Sequence, residues 1–202
     1  PWVTLSYAQS LDGSIAAQRG SPLALSGSAT LKITHSLRAR HSVILVGIGT
    51  LLADDPQLNV RLVPGSDPQP VVLDRKLRFP KDARLLRGQK SPWIFTTRNA
   101  QPEREATLTK AGARVFQSDT EMRSIGDILS VLGREGILSV MVEGGAGVIT
   151  SFLQAQLVDL VVLTIASRLV GGVRGLESLF ADDGPRLNKF GAKCFVEVGS
   201  ID

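Results

Sequence analysis

The sequence predicts an α/β fold on a mostly parallel sheet, and three observations carry that expectation. Short apolar runs such as Val43-Ile44-Leu45-Val46 and Val140-Met141-Val142 have no polar face, as strands covered on both sides require. Stretches with helical apolar spacing lie between the runs, at lengths suited to crossover connections. Glycines stand where two of the runs end, at Gly47-Ile48-Gly49 and Gly144-Gly145-Ala146-Gly147, so each of those strands ends in a tight turn.

Taken in order, Trp2 to Ala8 alternates and is rich in β-formers, which predicts a first strand broken at Ser10-Leu11-Asp12-Gly13. Residues 19–27 form a Gly/Pro/Ser loop, and Ser28 is placed to cap a helix running to about Arg40. Ala29, Ile33 and Leu37 would form its inner face, with Arg38 at the border. The strand at 43–46 leads into Gly47-Ile48-Gly49-Thr50. Leu52 stands where G-x-G-x-x-G needs its third glycine, so the dinucleotide fingerprint fails.

Asp54-Asp55-Pro56 predicts a turn or helix end, because Pro56 biases Asp55 away from the α region. With no His or further carboxylate nearby, a solvated turn is favoured over a metal site. Val71-Val72-Leu73 comes after a loop at 64–70 and exits through Asp74-Arg75-Lys76. Strands at 93–96 and 114–116 flank a polar helix. Met122, Ile125, Leu129 and Leu132 then predict a helix closed by Gly133.

The stretch from Ile137 to Ile149 organises the rest. An apolar strand ends in Glu143 and two glycines, and Val148, Ile149, Phe152 and Leu153 recur at helical spacing from about Gly147. A strand, a glycine turn and a helix N-terminus offer free N–H groups and a positive dipole end to an anion. Glu143 sits at the strand's carboxyl end, where open α/β sheets hold their ligands. The bland alternative is a tight strand–helix connection that binds nothing. The apolar run from Leu160 to Ala166, a Gly-rich loop and a last strand at Cys194-Phe195-Val196 complete the series.

Bulk properties narrow the function. A chain of 202 residues that is 43% hydrophobic suits one globular domain, 1–202. Apolar runs fall short of a membrane span and the first residues do not resemble a signal peptide, so a cytoplasmic protein without membrane contact is expected. The first residue is Pro and not Met, which leaves room for an upstream segment. A single Cys excludes an intrachain disulfide and a Cys-based zinc site. The net charge of +4 favours anionic partners, but the basic residues are dispersed and show no nucleic-acid motif. A phosphorylated small molecule is the more economical partner.

The ordered set Pro1-Trp2-Val3-Thr4-Leu5, Ala8-Gln9-Ser10-Leu11-Asp12-Gly13, Leu37-Arg38-Ala39, Gly47-Ile48-Gly49-Thr50, Asp54-Asp55-Pro56-Gln57-Leu58, Arg61, Val71-Val72-Leu73-Asp74, Val142-Glu143-Gly144-Gly145 and Leu157-Val158-Asp159 resembles the pyrimidine reductases of riboflavin biosynthesis. The resemblance spans nearly the whole chain. It implies a dihydrofolate-reductase-like fold: a mostly parallel sheet with an antiparallel C-terminal strand and helices on both faces. It also implies NADPH as cofactor and a phosphorylated ribosylamino-pyrimidine as substrate; no metal is expected, and the apolar strand at 160–165, which needs cover on both sides, predicts a homodimer to which the resemblance also points.

By family position, Ala8, Thr50 and Asp54 line the cofactor, and Gly144, Gly145, Ala146, Gly147, Val148, Ile149, Thr150 and Ser151 embrace its phosphates. Arg75, with Lys76 beside it, stands where the family meets the adenosine 2′-phosphate. Arg38 and Arg61 correspond to the substrate phosphate site, with Leu58 and Glu143 also on the substrate side. Asp54 and Glu143 are the carboxylates implied at the reacting centre. His35 and His41 fall on no family motif and read as ordinary helix-end residues. Pro22 and Ala24 stand where bifunctional relatives usually carry Ser and Trp, and Tyr7-Ala8-Gln9 looks closer to the stand-alone fungal type. A pterin reductase and a non-enzymatic nucleotide sensor are the competing readings.

Overall fold

The computed structural model describes residues 1–18, 20–21, 23–97, 100–118 and 124–175. Its strands are β1 (Trp2–Ser10), β2 (Ser14–Ala16), β3 (Val43–Gly47), β4 (Gln69–Leu73), β5 (Trp93–Thr97), β6 (Arg114–Ser118), β7 (Ser139–Val142), β8 (Leu160–Ala166) and β9 (Val173–Arg174). The helices are α1 (Ser28–Arg40), α2 (Ile48–Asp54), α3 (Pro102–Lys110), α4 (Ile125–Arg134) and α5 (Ala146–Gln154).

Seven strands form one sheet in the order β6-β5-β4-β3-β7-β1-β8, and the pairings within it are parallel. An antiparallel ribbon of β2 and β9 stands beside it. The expected α/β class, mostly parallel with helices on both faces, is therefore present. The predicted strand at 194–196 and Met122 lie outside the described residues, as does Pro22.

Alternation along β3 shows how the sheet is covered. Val43 and Leu45 point into one core with Phe95, Val142 and the inner faces of α4 and α5. Ile44 and Val46 point the other way, into a core with Leu51 of α2, Leu108 of α3, Leu77 and Phe79. Burial on both faces explains why these strands carry no polar face.

Three local expectations need correction. Gly27, not Ser28, is the N-cap of α1, and no described side chain caps it. Ala29 and Ile33 are exposed, while His35 is 2% exposed, because polar anchors draw the His35–Arg38 face of α1 inward. The His35 ring accepts the Arg61 N–H at Nδ1, 3.1 Å, and Arg38 pairs with Glu143. His41 is an anchor too, bonded at Nε2 to Thr4 Oγ1, 2.8 Å.

Finally, α4 runs through Gly133, starting from a Ser124–Asp127 capping box. The closing glycine is Gly136, whose φ of +79° places it in the left-handed region that ends helices.

Candidate active site

The parallel register puts the carboxyl ends of β1, β3, β4 and β7 along one edge, and a cavity of about 1070 Å³ opens there. Neighbouring strands β3 and β7 each turn into a helix through glycine, so their two turns lie side by side. The glycines divide into two kinds. A Cβ on Gly47 would lie 2.7 Å from Val148 Cγ2, and one on Gly144 would lie 2.4 Å from Val148 Cβ, so these two allow α5 to approach the sheet. A Cβ on Gly49 or Gly147 would meet nothing within 4 Å, and both residues line the cavity. The first turn of α5, with its N-cap Gly145, faces the same space and presents N–H groups lacking intrahelical acceptors.

Most of the residues singled out from the sequence meet here. Ala8, Thr50, Asp54, Arg75, Glu143, Gly144, Gly145, Ala146, Gly147, Val148, Ile149 and Ser151 line the cavity. Lys76 and Thr150 do not. Nor do Arg38, Leu58 and Arg61: Leu58 is buried in the core beneath α2, and Arg61 is exposed, with Nη1 bonded to Asn59 Oδ1, 2.9 Å.

The adjacent carboxylates part company, since Asp54 faces the cavity and Asp55, the left-handed C-cap of α2, accepts from the Arg84 backbone N–H. The sequence reading missed Tyr7, Arg78, Ser124 and Gln154 of the lining. For Arg78 a signal existed: it lies four residues after Asp74 across a turn, close enough for an ion pair.

Electrostatics separate the carboxylates. Glu143, at the exit of β7, is held in two parallel bonds, Arg38 Nε to Oε1 and Nη2 to Oε2, both 2.7 Å. Side-chain exposures of 11% and 16% make this a largely buried pair. Arg38 also donates from Nη1 to Asn59 O, 3.1 Å. Together with the His35–Arg61 bond, this ties α1 to the 59–61 segment at two points. Burial lowers the His35 pKa to about 4, helped by the charges of Arg38 and Arg61, so its ring is neutral and can accept.

Asp54 has no such cationic clamp among the described residues, and burial raises its pKa above the ordinary carboxylate value. The Tyr7 phenol is also pushed up by burial. The site thus combines a helix N-terminus for an anion, an ionic carboxylate clamped by arginine, and a second carboxyl that holds its proton more readily.

Residues 1–194 match the RibD C-terminal domain family. The riboflavin biosynthesis protein RibD of Bacillus amyloliquefaciens is 40% identical over 175 residues, which cover 85% of this chain and 47% of that protein. The 2,5-diamino-6-ribosylamino-4(3H)-pyrimidinone 5′-phosphate reductase of Methanothermobacter thermautotrophicus is also 40% identical, over 85% of this chain and 80% of its own length. A deaminase/5-amino-6-(5-phosphoribosylamino)uracil reductase from Thermotoga maritima superposes with a TM-score of 0.75 at 33% identity, covering 91% of this chain and 50% of that one. The chain spans about half the length of the RibD proteins it matches.

Proposed function

The chain belongs to the RibD C-terminal domain family, and from that premise we propose that it is an NADPH-dependent reductase. Its substrate in this reading is a phosphorylated ribosylamino-pyrimidine, reduced to the ribitylamino compound. The observation that carries the proposal is the meeting of the α5 N-terminus, Asp54 and Glu143 on one cavity. Its volume of about 1070 Å³ suits two ligands face to face better than one.

The cofactor's phosphates fit the glycine turn, where Gly147 leaves open space and the helix dipole favours negative charge. Ala8, Thr50 and Asp54 would then flank the nicotinamide end. When bound, the nicotinamide supplies a hydride to the sugar C1′, which the substrate presents as a ring-opened imine. Asp54 donates the matching proton to the imine nitrogen, directly or through water. Its raised pKa keeps the carboxyl protonated over a wider range than an exposed aspartate. Glu143, fixed by Arg38, presents its carboxylate to the pyrimidine's donor groups. Arg61 lies outside the cavity, so its part is to receive the phosphate at the rim.

The same proposal includes one reductase domain, a cytoplasmic location and a homodimer. The dimer rests on β8, which pairs with β1 and, among the described residues, leaves Val161, Leu163 and Ile165 at 41%, 39% and 56% exposure on one face. Light scattering tests it: a mass near that of one 21.6 kDa chain at micromolar concentration removes the dimer.

The function is tested by tracking NADPH absorbance with the amino pyrimidine, the oxo pyrimidine and dihydrofolate in turn. Turnover of either pyrimidine phosphate is the expected result. Turnover of dihydrofolate alone would reject it in favour of a pterin reductase, and turnover of none would favour a nucleotide sensor.

A further inference from the structure

We propose that Asp12 is a positioning residue for the nicotinamide: its carboxylate fastens the 170–172 segment to the turn between β1 and β2, and so sets an apolar wall at the reacting end of the cavity. This rests on the reductase reading above. The wall is the β2–β9 ribbon, whose Ile15, Ala16 and Val173 line the cavity. Within the sheet, β3, β7, β1 and β8 are successive neighbours. The glycine turns follow β3 and β7, whereas β2 continues from β1 and β9 from β8. Cofactor phosphates on the glycine turns therefore leave the ring end toward β1 and the ribbon. The ribbon also packs on β1 itself, since a Cβ on Gly175 would lie 3.0 Å from Ile15 Cγ2 and 3.6 Å from Tyr7 Cε2. Tyr7 adjoins Ala8, which flanks the nicotinamide in that reading.

The ribbon is too small to hold itself in place. Its β9 strand has two residues, and the pairing with β2 shifts register between Ser14 and Ala16. An isolated two-stranded ribbon is marginal in water even at greater length. Its position must come from outside the ladder, and Asp12 supplies it.

Each carboxylate oxygen of Asp12 takes one donor from either side of the join. Oδ1 accepts the Ser10 hydroxyl and, at 3.1 Å, the Val170 N–H. Oδ2 accepts the Ser14 hydroxyl and the Gly171 N–H, both at 2.8 Å. Ser10 and Ser14 are fully buried and extend the link. Ser10 Oγ accepts the Ser14 N–H at 3.0 Å, and Ser14 Oγ accepts the Gly172 N–H at 2.9 Å. The bonds from Ser10, Ser14, Val170 and Gly171 hold the Asp12 carboxyl well below the usual carboxylate range, so it stays ionised and only accepts. Asparagine would keep one accepting oxygen and turn its amide against a backbone N–H. Asp12 itself does not line the cavity, so its influence passes through the ribbon.

The test uses binding and amide exchange, so it stands apart from turnover. The purified chain is titrated calorimetrically with NADPH and with 2′-phospho-ADP-ribose, which lacks only the nicotinamide. Wild type should bind NADPH more tightly. Asp12→Ala should weaken NADPH about tenfold and leave the ring-free nucleotide within about twofold. It should also speed hydrogen exchange at the Gly171 and Gly172 amides while β1 stays protected. Asp12→Asn, with one accepting oxygen left, should fall between. Val173→Ala should weaken NADPH alone and leave those amides protected, which tests the wall without touching its fastening. If Asp12→Ala does not fold, the last two variants carry the test.

Equal losses for the two ligands, no loss, or unchanged exchange in the Asp12 variants would overturn the proposal. So would a wild type that binds NADPH no more tightly than the ring-free nucleotide, or a Val173→Ala that binds NADPH like wild type. Failure of wild type to bind either ligand overturns it together with the cofactor assignment. A wild type that prefers NADPH but reduces no pyrimidine rejects the substrate reading only.

Discussion

The cavity's glycine turns and the arginine cluster tied to Glu143 are built on different principles. On the glycine side, residues 47–54 and 144–151 are two continuous strand–turn–helix passages that supply much of the cavity's lining. On the arginine side, Arg38, Arg61 and Glu143 come from three distant segments, joined by side-chain bonds: the Arg38–Glu143 pair and the His35–Arg61 contact. The first depends on close packing, and the second on the charge balance of the largely buried Arg38–Glu143 pair. Substitutions should therefore fail differently on the two sides.

The largest effect is expected on the arginine side. Glu143→Ala leaves Arg38 largely buried without its carboxylate, which should cost about 3–5 kcal/mol of stability in urea unfolding. Replacing both residues by methionine should recover much of that, because neither charge is then stranded. A single-variant loss under about 1 kcal/mol would show that the pair is solvated and that the two sides differ less than their geometry implies.

Next comes Asp54→Asn, which should lower turnover by about a hundredfold, the lower end for a general acid, with little change in unfolding midpoint. Its raised pKa gives the sign: activity that needs the protonated carboxyl falls as pH rises through that value. Near-normal turnover at saturating NADPH would remove the proton-transfer role.

The glycine side supplies an internal control. Gly144→Ala drives a methyl to within 2.4 Å of Val148 Cβ and should cost about 1–3 kcal/mol through overpacking. Gly147→Ala, early in α5 with open space around it, should be neutral or slightly stabilising, within about 1 kcal/mol. Equal costs at the two positions would mean that α5 does not pack against Gly144 in solution.

This contrast also explains how much the sequence disclosed. Each β–Gly–α passage obeys local rules, so the strands, the turns and most of the glycine-side lining were legible from residue types within a dozen positions. Leu52 takes the place of the third glycine of a dinucleotide fingerprint after β3, while the turn after β7 keeps its glycines and the helix N-terminus behind them. The arginine side was not legible in this way. Arg38 and Glu143 are 105 positions apart, and no periodicity announces their pairing. The inner face of α1 was misread because apolar spacing pointed to Ala29 and Ile33. The helix is in fact held by His35 and Arg38, whose partners lie elsewhere in the chain. Arg78 escaped notice because the left-handed turn at Leu77, which no glycine marks, decides which basic residue reaches the cavity.

The smallest expected effect near neutral pH comes from His35, and it tests whether the arginine side needs a neutral ring. In the fold its Nδ1 must be unprotonated to accept the Arg61 N–H, and burial with two nearby cations lowers its pKa to about 4. In the unfolded chain an ordinary histidine titrates near 6.5, so the unfolded state takes up a proton first as pH falls. The associated stability is complete above about pH 6.5 and is lost progressively down to about 4. Between pH 7 and 6 the loss should be about 0.5–1 kcal/mol. Asp54 and Asp74 act in the opposite sense, since their raised values mean the fold binds protons more readily than the unfolded chain. The useful quantity is therefore the difference between wild type and His35→Gln, in which the two aspartates cancel. Urea midpoints at a series of pH values should converge as pH drops, with wild type losing its advantage. Parallel curves would mean that the ring titrates alike in the folded and unfolded chains, and the His35–Arg61 bond would have to be withdrawn.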